Sequence, residues 1–185
     1  HAKGDPEVVG DGSHVQMDIG QQLRFISDGF QIVSEFEEYR DLPIILGETD
    51  PEGCAACSFQ SGYRENAYRN GTMYSSYTAA SFARMYELAD QHDVNFEGAV
   101  SWSFVFEDQP WFDGFRSMAT NGVAKPVFNV FRMFGMMGGD RVEVDVSQIE
   151  SYDAQQIIEQ GVRAQADINA LASSGDQSAE VMVWN

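Results

Sequence analysis

The chain has 185 residues, 43 % of them hydrophobic and 12 % aromatic, which is enough apolar material for a sizeable core within one domain. Its formal net charge is −18, and its only lysines are Lys3 and Lys125. Nucleic acid and anionic membrane surfaces both require basic patches, so this charge excludes them as partners, and no apolar run is long enough to span a bilayer.

In chain order, the first regular element is a helix predicted over residues 19–39, where Leu23, Ile26, Phe30, Val33 and Phe36 recur at helical spacing until Asp41 and Pro43 stop it. "LPIILGETDPEG" follows. Leu42, Ile44, Ile45 and Leu46 surround Pro43 and precede Gly47, a run about as long as a buried strand and apolar on both faces. That pattern predicts a parallel strand covered on each side. Residues at the carboxyl ends of parallel strands line the functional face of α/β folds, which makes Glu48 a catalytic candidate by position, against the plainer possibility of a solvated loop carboxylate. Asp50 and Glu52 stand just beyond it.

A long loop, "CSFQSGYRENAYRNG", leads to a second helix predicted over 72–92, with Tyr77, Phe82, Met85 and Leu88 on one side. "NFEGAVSWSFVFED" is a second strand rich in aromatic and β-branched residues. A third helix starts at Pro126, a residue suited to a first helical turn, and is stopped by Gly138 and Gly139. Strands alternating with helices at this spacing predict βα units around a parallel sheet or barrel. After Gly139 the pattern changes. "RVEVDVS" alternates like a half-exposed strand, and "ADINALASSGDQSAEVMVWN" reads as two strands about a Ser-Gly-Asp turn, so an antiparallel β module is predicted from about residue 140. The chain begins at His1 without a methionine or a signal segment and stops within a strand-like run, so it reads as an excerpt whose start is silent on localisation.

Cys54 and Cys57 form one CxxC. A zinc site needs four ligands, and neither a second pair nor nearby histidines accompany this one. Two thiols packing the loop are the favoured expectation, ahead of a disulfide and of metal or redox chemistry.

Four stretches, "HAKG", "PIILGETDPEGCAAC", "GAVSWSFVFEDQPWFDGFRSMATNGVAKPVFNVFRMFGMMGG" and "ALASSGDQSAEVMVWN", together resemble glycoside hydrolase family 39, which holds β-xylosidases and α-L-iduronidases. The resemblance runs through essentially the whole chain in the family's order. It implies an α/β fold, the carboxyl-terminal part of a (β/α)8 TIM barrel, with the seventh and eighth strands near 42–48 and 97–106. Residues 1–139 would span the end of the sixth strand to the eighth helix, and residues 140–185 would begin an accessory antiparallel β-sandwich. Glu48 would be the nucleophile at the end of the seventh strand. The acid/base glutamate of this family ends the fourth strand, which this chain does not contain, so the missing amino-terminal half of the same barrel is an implied partner and the fragment alone is expected to be inert.

The resemblance also assigns substrate-binding candidates. Trp102 matches a tryptophan that lies beneath the sugar in related barrel glycosidases, where an indole face stacks on a pyranose; the alternative is a core aromatic. Glu107 and Asp108 match an acidic pair that accepts bonds from sugar hydroxyls, with a solvated turn as the alternative. Phe104 and Phe106 share the Trp102 alternation, although simple packing is the favoured expectation for them. Glu52 is expected to be solvated or structural, and Trp111, Phe112 and Phe115 wall the cleft or pin a loop. His1 and Lys3 belong to the "HAKG" stretch. Lys3 stands where many β-xylosidases carry an aromatic and the iduronidase branch a lysine, so its ammonium could meet a substrate carboxylate, with Arg116 as a companion. A retaining, exo-acting, β-xylosidase-like glycosidase acting on a carbohydrate substrate is therefore expected, with an iduronidase-like uronidase and a non-catalytic carbohydrate-binding protein as alternatives. A carboxylate pair suffices for such hydrolysis, so neither metal nor organic cofactor is expected.

Overall fold

A computed structural model describes residues 1–185 apart from Ser13 and Phe104. The chain opens with a short strand β1 (Ala2–Lys3) and a hairpin of β2 (Glu7–Val9) and β3 (His14–Gln16), paired antiparallel. Helix α1 (Ile19–Ser34) follows, and the Asp18 carboxylate caps it by accepting from the Gln21 amide at 3.0 Å. The helix predicted to reach residue 39 stops five residues early. Phe36 is extended, and Arg40 folds back to donate to the Ser34 carbonyl, satisfying a carbonyl the helix end leaves free. A single turn α2 (Glu37–Arg40) then leads into β4 (Ile44–Leu46) and β5 (Thr49–Asp50).

A 3-10 segment (Arg64–Asn70) precedes helix α3 (Thr72–His92), whose bounds match the predicted ones and which closes on Asp93 in the left-handed conformation. Strand β6 (Phe96–Ala99) is shorter than the predicted 97–106. Val100 still bonds to both Leu46 and Thr49, but beyond it the chain turns to meet Asp50 through the Trp102 amide, which ends the ladder; Phe104 lies outside the described residues. A small hairpin, β7 (Ala119–Thr120) with β8 (Val123–Ala124), leads to α4 (Pro126–Met136), with Pro126 in its first turn as predicted. The rest comprises β9 (Asp140–Val142), helix α5 (Ala154–Gln160), β10 (Asn169–Ser174) and β11 (Ala179–Trp184).

Strand β4 pairs parallel with β6, and β1 pairs parallel with β5. A bond from the Ala2 amide to the Glu48 carbonyl joins the two pairs, so β1, residues 44–50 and residues 96–100 run side by side in one direction. Strands β9, β10 and β11 form an antiparallel sheet in the order β11-β10-β9. Among the described residues each sheet holds two or three strands and none closes into a barrel.

The main core lies between α1, α3 and the strands. Leu23, Ile26, Phe30, Met85 and Leu88 are fully buried there, each contributing roughly 1.5–3 kcal/mol by removal from water. Tyr152, Ile157, Met182 and Trp184 enter the same core, so residues on either side of position 139 share one interior. Strand β4 differs from its prediction. Ile44 and Leu46 pack on the core, yet Ile45 is exposed, because the helices cover only one of its faces. Gly4 explains itself by contact: a Cβ there would lie 2.4 Å from the Asp18 carbonyl oxygen.

Candidate active site

Glu48 follows β4 and sits, half-buried, between the two parallel pairs. One carboxylate oxygen, Oε1, lies 3.2 Å from Nδ1 of His1. His1 is brought there by the pairing of β1 with β5, which sets Ala2 opposite Thr49 and Lys3 opposite Asp50. His1 and Glu48 stand at one end of a groove of about 490 Å³ between α1 and β4, walled by Phe25, Phe30, Val33 and Ile45. Trp102 is not among the residues of that groove. It is joined to the site from the other side, through its backbone amide, which donates to Asp50 Oδ1 at 3.1 Å.

Asp50 is the centre of the polar interior. It is 0 % exposed, accepts from Ser101 Oγ at 2.7 Å and from the Trp102 amide, and faces Arg116 Nη2 at 3.4 Å and His1 Nε2 at 3.9 Å. Burial raises its pKa above the ordinary aspartate value and the neighbouring Glu48 charge adds to this, while Arg116, Ser101 and the Trp102 amide pull it back.

Arg116 is 1 % exposed, and its donors are spent inside the protein. Nε donates to the Trp102 carbonyl at 2.9 Å, Nη1 to the carbonyl and Oε1 of Glu52 at 2.6 Å each, and Nη2 faces Asp50. The expectation that Arg116 meets a substrate carboxylate is thereby corrected: the guanidinium braces the protein from within. Glu52 is structural rather than solvated. It is buried between Arg116 and Arg69, whose Nη2 lies 2.7 Å from Oε1, and burial raises its pKa despite both partners.

Arg69 continues the chain of contacts into the CxxC loop, donating to the carbonyls of Cys54 at 2.6 Å and of Gly114 at 2.9 Å. Cys54 and Cys57, expected as two thiols, are joined in a disulfide; the tight turn sets their Cα atoms 5.5 Å apart, within bridging distance. On the opposite side of Glu48, Thr49 Oγ1 accepts from Gln22 Nε2 at 2.7 Å, and Gln22 Oε1 accepts from Tyr77 at 2.5 Å, a fully buried polar chain that anchors the backbone next to Glu48.

The other candidates are placed as follows. Lys3 Nζ lies 2.5 Å from Asp5 Oδ1, so its charge is already met at the protein surface. Trp102 is 52 % exposed, leaving much of the indole open to solvent. Glu107 and Asp108 lie on an exposed turn. Phe106 stacks on Phe115 with ring centroids 4.5 Å apart, and the Phe112 carbonyl accepts from Asn70, so these aromatics pin the loop; Trp111 remains exposed.

His1, Glu48 and Asp50 offer three potential metal ligand atoms lying within 4.8 Å of one another. The fit to a cation is poor, because Arg116 already holds a positive charge 3.4 Å from the Asp50 oxygen that would ligate it. Sequence reading missed Asp50, Arg69 and the Gln22–Tyr77 chain as parts of the site. Only the ETD spacing, which sets Asp50 two residues from Glu48 and hence on the same strand face, signalled any of them. No family model matches the chain, and no curated protein matches it in sequence.

Proposed function

We propose that the chain carries the nucleophile side of a retaining, exo-acting glycoside hydrolase of the family 39 type, built as the late part of a (β/α)8 barrel, and that Glu48 is the nucleophile. The observation that supports this most is a partly exposed carboxylate at the carboxyl end of a parallel strand, with one oxygen 3.2 Å from His1 Nδ1. In such a reaction the Glu48 oxygen bonds to the anomeric carbon as the glycosidic C–O bond breaks. A protonated carboxyl about 5–5.5 Å away donates to the leaving oxygen, then draws a proton from the water that releases the sugar. On this proposal that acid/base comes from another part of the protein, and Trp102 supplies a flat apolar face for the pyranose.

A neutral, xylose-like terminal residue is favoured over a uronic acid. Both cations considered for a substrate carboxylate are engaged, Lys3 by Asp5 and Arg116 by Asp50 and Glu52. The test uses the protein encoded by the full gene, with kcat/KM measured on paired aryl xylosides and aryl uronides. Glu48→Gln should abolish both activities, and Lys3→Met should leave xyloside turnover within about threefold. A more than tenfold loss confined to uronides, in line with the roughly 2–5 kcal/mol of an unpaired buried charge, would reverse the order of the two substrates. Full activity in Glu48→Gln would overturn the glycosidase proposal itself.

A further inference from the structure

We propose that Asp50 is a positioning residue for this reaction, acting through His1 to hold the Glu48 carboxylate in its attacking orientation; this rests on Glu48 being the nucleophile. His1 is bracketed by two carboxylates, with Nδ1 3.2 Å from Glu48 Oε1 and Nε2 3.9 Å from Asp50 Oδ2. A neutral imidazole has one N–H and one lone pair, so it can satisfy only one of these two acceptors, and the other would face its lone pair. The doubly protonated ring suits both. The contact with Asp50 is too long for a hydrogen bond and is therefore Coulombic, so the ring is held by a close contact to Glu48 at one edge and by the buried Asp50 at the other. Glu48 then keeps one oxygen fixed and the other free, as an aspartate behind a catalytic histidine fixes the ring in hydrolase triads.

The surroundings of Asp50 are built to hold a charge in place. Ser101 Oγ, the Trp102 amide and Arg116 meet its two oxygens, and Arg116 is itself fixed by Glu52 and the Trp102 carbonyl. An ion pair that merely glued the strands together would need no third partner on its open side. Asp50 has one, and it is the residue touching Glu48. The same carboxylate also sets the backbone of Trp102, so the orientation of the nucleophile and the placing of the sugar platform share one anchor.

The test is a double-mutant cycle in the protein encoded by the full gene, reading kcat and KM separately on an aryl glycoside. Asp50→Asn should lower kcat at least tenfold with KM changed less than about threefold. His1→Gln should give a similar loss, and the double variant should lose no more than the worse single one. Ser101→Ala, which removes one donor to Asp50 and leaves the ion pair, is the milder arm and should lower kcat by a smaller factor with KM again changed less than about threefold. Additive losses, or an unchanged kcat in a folded Asp50→Asn protein, would overturn the proposal while leaving Glu48 as nucleophile. A wild-type protein without glycosidase activity would overturn both.

Discussion

Lys125 offers a quantitative check on how dry the ground beneath the site is. It immediately precedes α4, it is 1 % exposed, and Nζ donates to the Phe115 carbonyl at 2.7 Å, with no carboxylate partner among the described residues. Burial, aided by the nearby Arg69 charge, lowers its pKa from 10.5 to about 8. For a base with a depressed folded value, the unfolded chain binds the proton more tightly, so stability rises with pH between the folded and unfolded values. Linkage then gives a gain of about 2 kcal/mol between pH 7 and pH 9.5 from this one group. Tyr74, pushed up to about 12, and Tyr77, also pushed well up by burial, act in the opposite direction, their stabilisation being lost as pH rises above 10, so the range stops short of that. Lys125→Met retains the apolar stem and removes the titration. Urea unfolding followed by tryptophan fluorescence at pH 7, 8, 9 and 9.5 should show wild-type stability rising against the variant by that amount. Parallel pH curves for the two proteins would refute the reasoning, because they would mean that Lys125 keeps its proton as it does in water.

Three further outcomes are expected. Arg116→Met should cost about 3–5 kcal/mol in urea unfolding, because Asp50 and Glu52 remain buried without their shared cation. Opening the Cys54–Cys57 disulfide with a dithiol, or by replacing both cysteines with serine, should cost at most about 2 kcal/mol, since the bridge closes only a four-residue loop; differential scanning calorimetry with and without reductant measures this. Burial raises the Glu52 pKa, so the stabilisation it contributes is fully present below the unfolded glutamate value and is lost as pH rises through the folded one. Glu52→Gln should therefore gain stability relative to wild type between pH 4.5 and pH 7, in the same unfolding assay.

Local patterns proved legible where one element supplied the whole signal. Helix α3 runs over its predicted residues because its apolar positions repeat without a breaker, and α4 begins at the proline that suits its first turn. The end of α1 was misplaced because Val33 and Phe36 continue the periodicity, while the stop comes from Arg40 reaching back to the Ser34 carbonyl. Helix α5 escaped notice although Asp153 and Gln156 spell a capping box; the helix has only seven residues, too few for its periodicity to show. For the site, the position of Glu48 after a strand was readable from composition alone. The buried network was not. Asp50, Glu52, Arg69 and Arg116 meet only after α3 and the two loops around it have folded, and a buried arginine looks the same in sequence as a solvated one. The disulfide was similarly ambiguous, since whether two cysteines bridge depends on how tightly the turn between them closes.

Covalent trapping tests the central proposal most directly. An activated aryl 2-deoxy-2-fluoro-xyloside, in which the fluorine slows release of the sugar more than its attachment, should leave a glycosyl ester on the nucleophile of the protein encoded by the full gene. Peptide mass spectrometry should then find one added fluorosugar per chain, on the peptide that contains Glu48, and none in Glu48→Gln. No adduct from a turned-over reagent, or an adduct on any other carboxylate, would contradict the assignment of Glu48 as the nucleophile of a retaining glycosidase.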